Sequence, residues 1–553
     1  MFNFLSGGRA RTSNRIRAQR ARNATKQHLR LESLENRTLL SGNVTALFHA
    51  ATSELVIKGD TNNNAIVITQ NSDGTVTVAG VNTSINNAGT PVTTPTGANV
   101  ESIDVYLNNG NEAVSLNGFT PLGGPAPTIQ IPKIDLELGT GRDNVVVNEV
   151  LANKVTINAK ASSSPGGDLG KFFDTVTVEN SNIATLKVTL DNAPGDLVTL
   201  ANNLNLGDVT VYEGNGIGDD IEVTNNVELG TVKLTQNDGP AITVGVPIFL
   251  IDQPTLVGFA TVRIPQNDVI NVDNNAIAHA LTIKQGDGDN DYVYVNDISG
   301  VPSSTGTQYA AITITQGGGQ HDYVEVAFSD NDSITASSVA AQSLTITQGL
   351  GKLDEVYVGS SDAATLDGGD GNLYAVLLFG KPVEVENFPG PSQFIFSGGD
   401  LKIKQGDGES DSVSVTNLEA RDAKITQGNG NSDIVTFEDS LLHRNLTITV
   451  GDGNDATVSV ADESPVQVNG ETVIKVSGFE NTITLGGDSE LLPDGEALET
   501  DSLTVFAGYG SITVIADNVT VDNDQGTITA EGDGNTFVDS GGNFGFEVHG
   551  FSL

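Results

Sequence analysis

Residues 281–295 read LTIKQGDGDNDYVYV: an alternating apolar/polar run, a glycine-rich corner closed by aspartate, and a second alternating run. The cassette returns as ITITQGGGQHDYVEV (312–326), LTITQGLGKLDEVYV (344–358), LKIKQGDGESDSVSV (401–415) and AKITQGNGNSDIVTF (423–437). A further copy, LTITVGDGNDATVSV (446–460), carries Val450 in place of the glutamine. Looser copies lie at 55–68, 136–147, 209–223 and 528–538. Measured from Gln285 through Gln316, Gln348, Gln405 and Gln427 to Val450, the intervals are 31, 32, 57, 22 and 23 residues. The base unit is therefore about 20–24 residues, with insertions in some copies, and such a period specifies a repeat array.

Alternation within the unit has period two, the mark of half-buried strands. Leu281, Ile283, Val293 and Val295 are expected to face inward, with Thr282, Lys284, Tyr292 and Tyr294 facing out. One unit cannot bury its own apolar edge, whereas units stacked about 4.8 Å apart bury a continuous Val/Ile/Leu column. The expected fold is all-β, a parallel β-helix or β-solenoid. Tandem immunoglobulin-like sandwiches would repeat at about 100 residues, far too long a period. At about 22 residues per coil the array would reach an upper estimate of about 23 coils and about 110 Å.

Three regions follow from composition: residues 1–42 as a basic tail, 43–99 as an N-terminal β cap with its linker, and 100–553 as the acidic solenoid. Residues 1–41 carry nine Lys/Arg and two acids, which leaves 18 basic and 68 acidic residues, a net charge of −50, in residues 42–553. So acidic a body repels nucleic acid and anionic membranes and attracts cations. The chain has no cysteine, so it has neither disulfides nor thiolate ligands. It also has no apolar run long enough to span a membrane as a helix.

The segment LESLENRTLLSG (31–42) resembles the N-terminal LEPR-XLL segment of planctomycete surface and exported proteins. Leu34, Glu35, Arg37, Leu39, Leu40 and Ser41 carry the likeness, with Asn36 where that family usually has proline. The resemblance implies export, hence an extracellular or cell-surface location. A solvated basic tail is the plainer alternative for the same residues.

The glycine-rich corners are similar to the calcium-binding nonapeptides of RTX-type β-rolls, G-G-x-G-x-D-x-U-x. Residues 139–145, GTGRDNV, fit that pattern, while the Gln-led copies have one extra residue before the aspartate and a longer period. The resemblance implies Ca²⁺ as cofactor. Candidate ligands are Asp143, Asp287, Asp289, Asp291, Asp322, Asp354, Asp407, Asp411, Asp433, Asp452 and Asp455. Carboxylates stacked about 4.8 Å apart repel by about 3.5 kcal/mol per pair at an effective dielectric of 20, and a hard cation would remove that cost. The alternative is purely structural: glycine supplies positive φ, and aspartate hydrogen-bonds its own turn.

Catalytic signatures are missing. Six histidines are scattered singly, and no Gly-x-Ser-x-Gly, P-loop or HExxH string occurs. The composition fits a non-enzymatic structural or adhesion-type protein. Its expected partners are divalent cations and cell-envelope polysaccharide or other surface proteins. The rival is a carbohydrate-binding or polysaccharide-lyase-like β-helix, resembling the pectate lyases, which set calcium-binding acids and a base against an acidic sugar. After Arg444 the only Lys or Arg is Lys475, and there is no tryptophan for sugar stacking. A cytoplasmic acidic scaffold is the third reading, for a chain that is not exported.

Overall fold

The computed structural model describes residues 42–118, 131–161, 174–237, 242–250, 253–264, 268–303, 306–308, 310–326, 338–350, 354–358, 376–379, 399–462, 464–487, 497–523, 525–543 and 545–551. Residues 34–41, which carry the LEPR-XLL likeness, lie outside them. The described residues form strands and turns with no helix, as the alternation requires.

Strands stack in parallel along faces that run the length of a β-solenoid. One face begins with Ala65–Gln70 and continues through Ala113–Gly118, Asn144–Asn148, Thr175–Glu179, Leu197–Ala201 and Asp220–Thr224. It ends fifteen pairings later at Thr536–Gly541. A second face carries the runs that precede each glycine corner, such as Ala310–Thr315 and Asp400–Lys404. A third holds short segments, among them Ser440–Leu442, Val466–Val468 and Val519–Val521. Val269–Lys284 shows how one coil is made, because this single strand pairs on one face through Val269–Asp273 and on another through Ala280–Lys284.

Sixteen rungs at about 4.8 Å span about 70 Å, shorter than the sequence estimate, because the loops between rungs consume residues without adding height. The 49-residue step from Asp220 to Val269 contains a side hairpin, Ile242–Leu250 with Gln253–Ile264. At the N-terminal end some of the pairing becomes antiparallel. Asn43–His49 lies antiparallel to Glu54–Lys58, and Val76–Gly80 lies antiparallel to Ala65–Gln70. Glu54–Lys58 also pairs in parallel with Ser102–Tyr106, so residues 43–99 run straight into the solenoid.

The core is one continuous column of aliphatic side chains, with Leu281, Ile283, Val293 and Val295 fully buried as the alternation predicts. Close-packed Val, Ile and Leu on successive rungs make each coil dependent on its neighbours.

Candidate functional site

Each glycine corner joins two faces, and its residues are dictated by how closely the coils approach. A Cβ on Gly317, Gly349, Gly406 or Gly428 would overlap the carbonyl oxygen of the glycine one coil earlier. A Cβ on Gly319 or Gly430 would overlap both the preceding coil and the carboxylate of Asp322 or Asp433 in its own coil. The expectation of positive φ at these glycines is corrected. Left-handed φ falls instead on the residue just before the aspartate position: Asn290 (65°), His321 (61°), Ser410 (63°), Ser432 (61°) and Asp455 (58°). The glycines are there for space.

The aspartate that follows turns inward. Asp143, Asp291, Asp322, Asp354, Asp411 and Asp433 are almost completely buried, and with Asp174, Asp196, Asp219 and Asp268 they form one column. The backbone N–H of each donates to the Oδ1 of the aspartate on the next rung, at 2.8–3.4 Å, from Asp143 N–H to Asp174 through Asp411 N–H to Asp433. At the head of the column Glu112 N–H donates to Asp143 and Asn64 N–H to Glu112. The column thus satisfies corner N–H groups that the face ladders cannot reach.

Only one carboxylate oxygen is needed for that task. The second oxygens of Asp143, Asp174, Asp196 and Asp354 are buried with no hydrogen-bond partner. Burial, the largest cause, pushes the Asp143 carboxyl up to about 8, Asp174 to about 6, Asp196 to about 9 and Asp219 to about 8. Asp354 and Asp433 rise to about 7, Asp411 to about 6 and Glu112 to about 7, again chiefly through burial. Backbone N–H donors pull these values partly back, and neighbouring acids in the column add to most of them.

The remaining candidates lie elsewhere. Asp287, Asp407, Asp452 and Asp455 are exposed and Asp289 is half-buried. Asp287, Asp289 and Asp407 each accept a backbone N–H from the next coil, from Gly318, Gln320 and Asn429. The eleven candidates are therefore split between the interior and the surface instead of lining one corner. Among the described residues no group of three or more His, Asp or Glu is disposed to hold a metal ion.

Two further ladders flank the column. The cassette glutamines stack Nε2 to Oε1 from Gln427 through Gln405, Gln348, Gln316 and Gln285 to Gln236, at 2.8–3.1 Å, and Gln236 donates to the buried Glu213. Glu213 stands where other coils have Gln, and burial followed by the charge of Asp219 holds its carboxyl well above the usual range. At a second corner, Ser181, Asn203 and Asn226 N–H groups donate to the Oδ1 of Asn203, Asn226 and Asn275. The residues just before them, Asn180, Asn202, Asn225 and Asn274, take positive φ. The paired asparagines at 202–203, 225–226 and 274–275 were the available signal for this corner.

Outside, an aromatic row crosses the face that follows the acidic corner. Tyr292 and Tyr294 are parallel with ring centroids 6.1 Å apart, and Tyr323 and Tyr357 continue the row at 5.4–6.0 Å. Tyr323 Oη donates to Glu325 Oε2 at 2.8 Å. Beside the row runs a groove of about 590 Å³ lined by Asp220, Glu222, Val269, Asn271, Tyr294, Asn296 and Glu325.

No family model matches the chain, and comparisons with curated proteins and with solved structures return no match.

Proposed function

We propose that this chain is a non-enzymatic structural β-solenoid, secreted or displayed at a cell surface, whose contribution is the rigid acidic rod itself. The observation that carries this reading is where the acids go. Six of the eleven candidate carboxyls, Asp143, Asp291, Asp322, Asp354, Asp411 and Asp433, accept backbone N–H groups in the interior, out of reach of any substrate. Extracellular placement rests on the likeness of residues 34–41 to an export segment.

Calcium enters as a stabilising ligand of the exposed acids Asp287, Asp407, Asp452 and Asp455 and the half-buried Asp289 at the coil corners. Oxygen ligands from carboxylates and corner carbonyls suit a hard cation. Thermal unfolding in EDTA, calcium or magnesium at fixed ionic strength tests this part. A calcium-specific rise in Tm supports it, and identical calcium and magnesium curves refute it.

The tyrosine row is the feature a carbohydrate-binding reading would use. Its groove presents carboxylates without a lysine or arginine, so an acidic sugar would meet repulsion. The structural reading is tested by incubating the purified chain with uronate and neutral polysaccharides. It predicts no release of unsaturated or reducing ends, and clear release would overturn it.

A further inference from the structure

We propose that the groove beside the tyrosine row binds an organic cation, an ammonium group on an apolar stem such as a diamine or a lysine side chain. The register builds the site. Asp220 pairs with Val269 and Glu222 with Asn271, while Val269 pairs with Tyr292 and Asn271 with Tyr294. Tyr294 in turn pairs with Glu325. Outward-pointing acids on one rung and tyrosines two rungs away therefore flank a low floor of Val269 and Asn271, a gap of about 10 Å at the ordinary rung spacing.

Each wall favours a cation with an apolar stem. Asp220, Glu222 and Glu325 line the groove together, and no Lys or Arg lines it. Burial and the charge of Glu222 hold the Asp220 carboxyl above its usual range, so a neighbouring positive charge would relieve an existing penalty. Tyr294 lines the groove with an aromatic ring, and an ammonium group is attracted to such a ring when it lies over it within about 6 Å, while Val269 offers contact for methylenes. A hard metal ion would gain nothing from the aromatic wall. A neutral sugar would stack but leave the charge unanswered. The acidic body adds long-range attraction for any cation approaching it.

The test titrates the full chain with putrescine at about 150 mM salt, where the Debye length is about 8 Å and diffuse attraction is screened. Binding is read by calorimetry and by tyrosine fluorescence, which no tryptophan obscures. Magnesium and methyl glucoside serve as comparators, and circular dichroism checks the fold of each variant. Saturable one-site binding is expected. Glu222→Gln should weaken it about tenfold, while Tyr294→Leu, which keeps an apolar side chain but removes the π face, should weaken it about threefold to thirtyfold. The exposed, distant Asp533→Asn should leave it unchanged. Non-saturable binding, equal loss in all three variants, displacement of putrescine by magnesium at equal charge, or saturable binding of methyl glucoside but not of putrescine would each overturn the proposal.

Discussion

Asp143→Asn isolates the energetics of the buried column. Asp143 is 1% exposed, its Oδ1 accepts the Glu112 N–H at 2.9 Å, and its Oδ2 has no partner. Its carboxyl is pushed up to about 8 from 3.8, first by burial and then by the charges of Asp174 and Glu112. A folded pKa above the unfolded value means that the native state binds the proton more tightly. The resulting stability is present below about pH 4 and is lost as pH rises through about 8. At about 1.36 kcal/mol per unit, the loss for this one carboxyl is on the order of 5 kcal/mol across that window. Asparagine keeps the Oδ1 acceptor and cannot ionise, so whatever it costs in packing is independent of pH. The stability of Asp143→Asn relative to wild type should therefore climb by several kcal/mol between pH 4.5 and pH 8. Because a repeat array need not unfold in two states, hydrogen exchange at the Glu112 amide is the appropriate readout, supported by urea melts. Surface repulsion changes equally in both proteins and cancels. Parallel pH curves, or a variant that falls behind wild type at pH 8, would refute the reasoning.

Other perturbations address the remaining corners. Gly430→Ala drives a Cβ into the Gly408 carbonyl and the Asp433 carboxylate and should cost about 1–3 kcal/mol, measured by thermal melting; a change within about 0.5 kcal/mol would sink the close-approach account. The glutamine ladder stops because Val450 pairs with Gln427, whose Oε1 is left buried without a partner. Val450→Gln would supply that partner, whereas Val476→Gln one rung later would not, so the first should be less destabilising by about 1 kcal/mol in denaturant titrations. Asn226→Leu removes the acceptor for the Asn203 N–H and Nδ2, which should cost about 1–3 kcal/mol for each group left unpaired. Exchange protection retained at the Asn203 amide would count against the ladder.

The fold was legible because period-two alternation and recurrence depend on nothing beyond side-chain volume and direction. Leu281, Ile283, Val293 and Val295 are inside, as read. The corner was only partly legible, since a glycine-rich turn has no alternation to reveal which side of the chain faces in. Asp287 and Asp291 look alike in the string QGDGDND, yet the first is exposed and the second is fully buried. A better marker was the spacing of aspartate from the strand. Asp174-Thr-Val-Thr-Val, Asp196-Leu-Val-Thr-Leu and Asp411-Ser-Val-Ser-Val share Asp two residues before the first inward side chain. That pattern finds Asp174, Asp196, Asp219 and Asp268, which the glycine motif passed over. Glu213 and the tyrosine groove were harder to foresee, because both arise from register between coils up to 49 residues apart.

Near the C-terminal end the column itself shows what an amide does in the carboxylate's place. Asn481 and Asn535 stand at the same corner position, and their Oδ1 atoms accept the N–H of Ala456 and Ile512. Their Nδ2 groups donate to carbonyls of Ser477 and Gly453, and of Glu531 and Gly508, so both ends of each side chain are satisfied. A carboxylate can only accept, so an unpartnered buried oxygen must be protonated or left as an uncompensated charge. The coils of Asp143, Asp174, Asp196 and Asp354, whose second oxygens have no partner, therefore depend on protons in a way that the coils around Asn481 and Asn535 do not. Hydrogen exchange followed from pH 5 to pH 8, corrected for the intrinsic rate, should show protection falling first in the aspartate coils. The strands Thr482–Leu485 and Thr513–Asp517, which follow amide or apolar corner positions, should hold theirs. Uniform loss along the rod would mean that surface charge, not the buried column, governs its response to pH. The reverse order, with the asparagine coils opening first, would mean that the column carboxyls stay neutral throughout and cost the fold nothing.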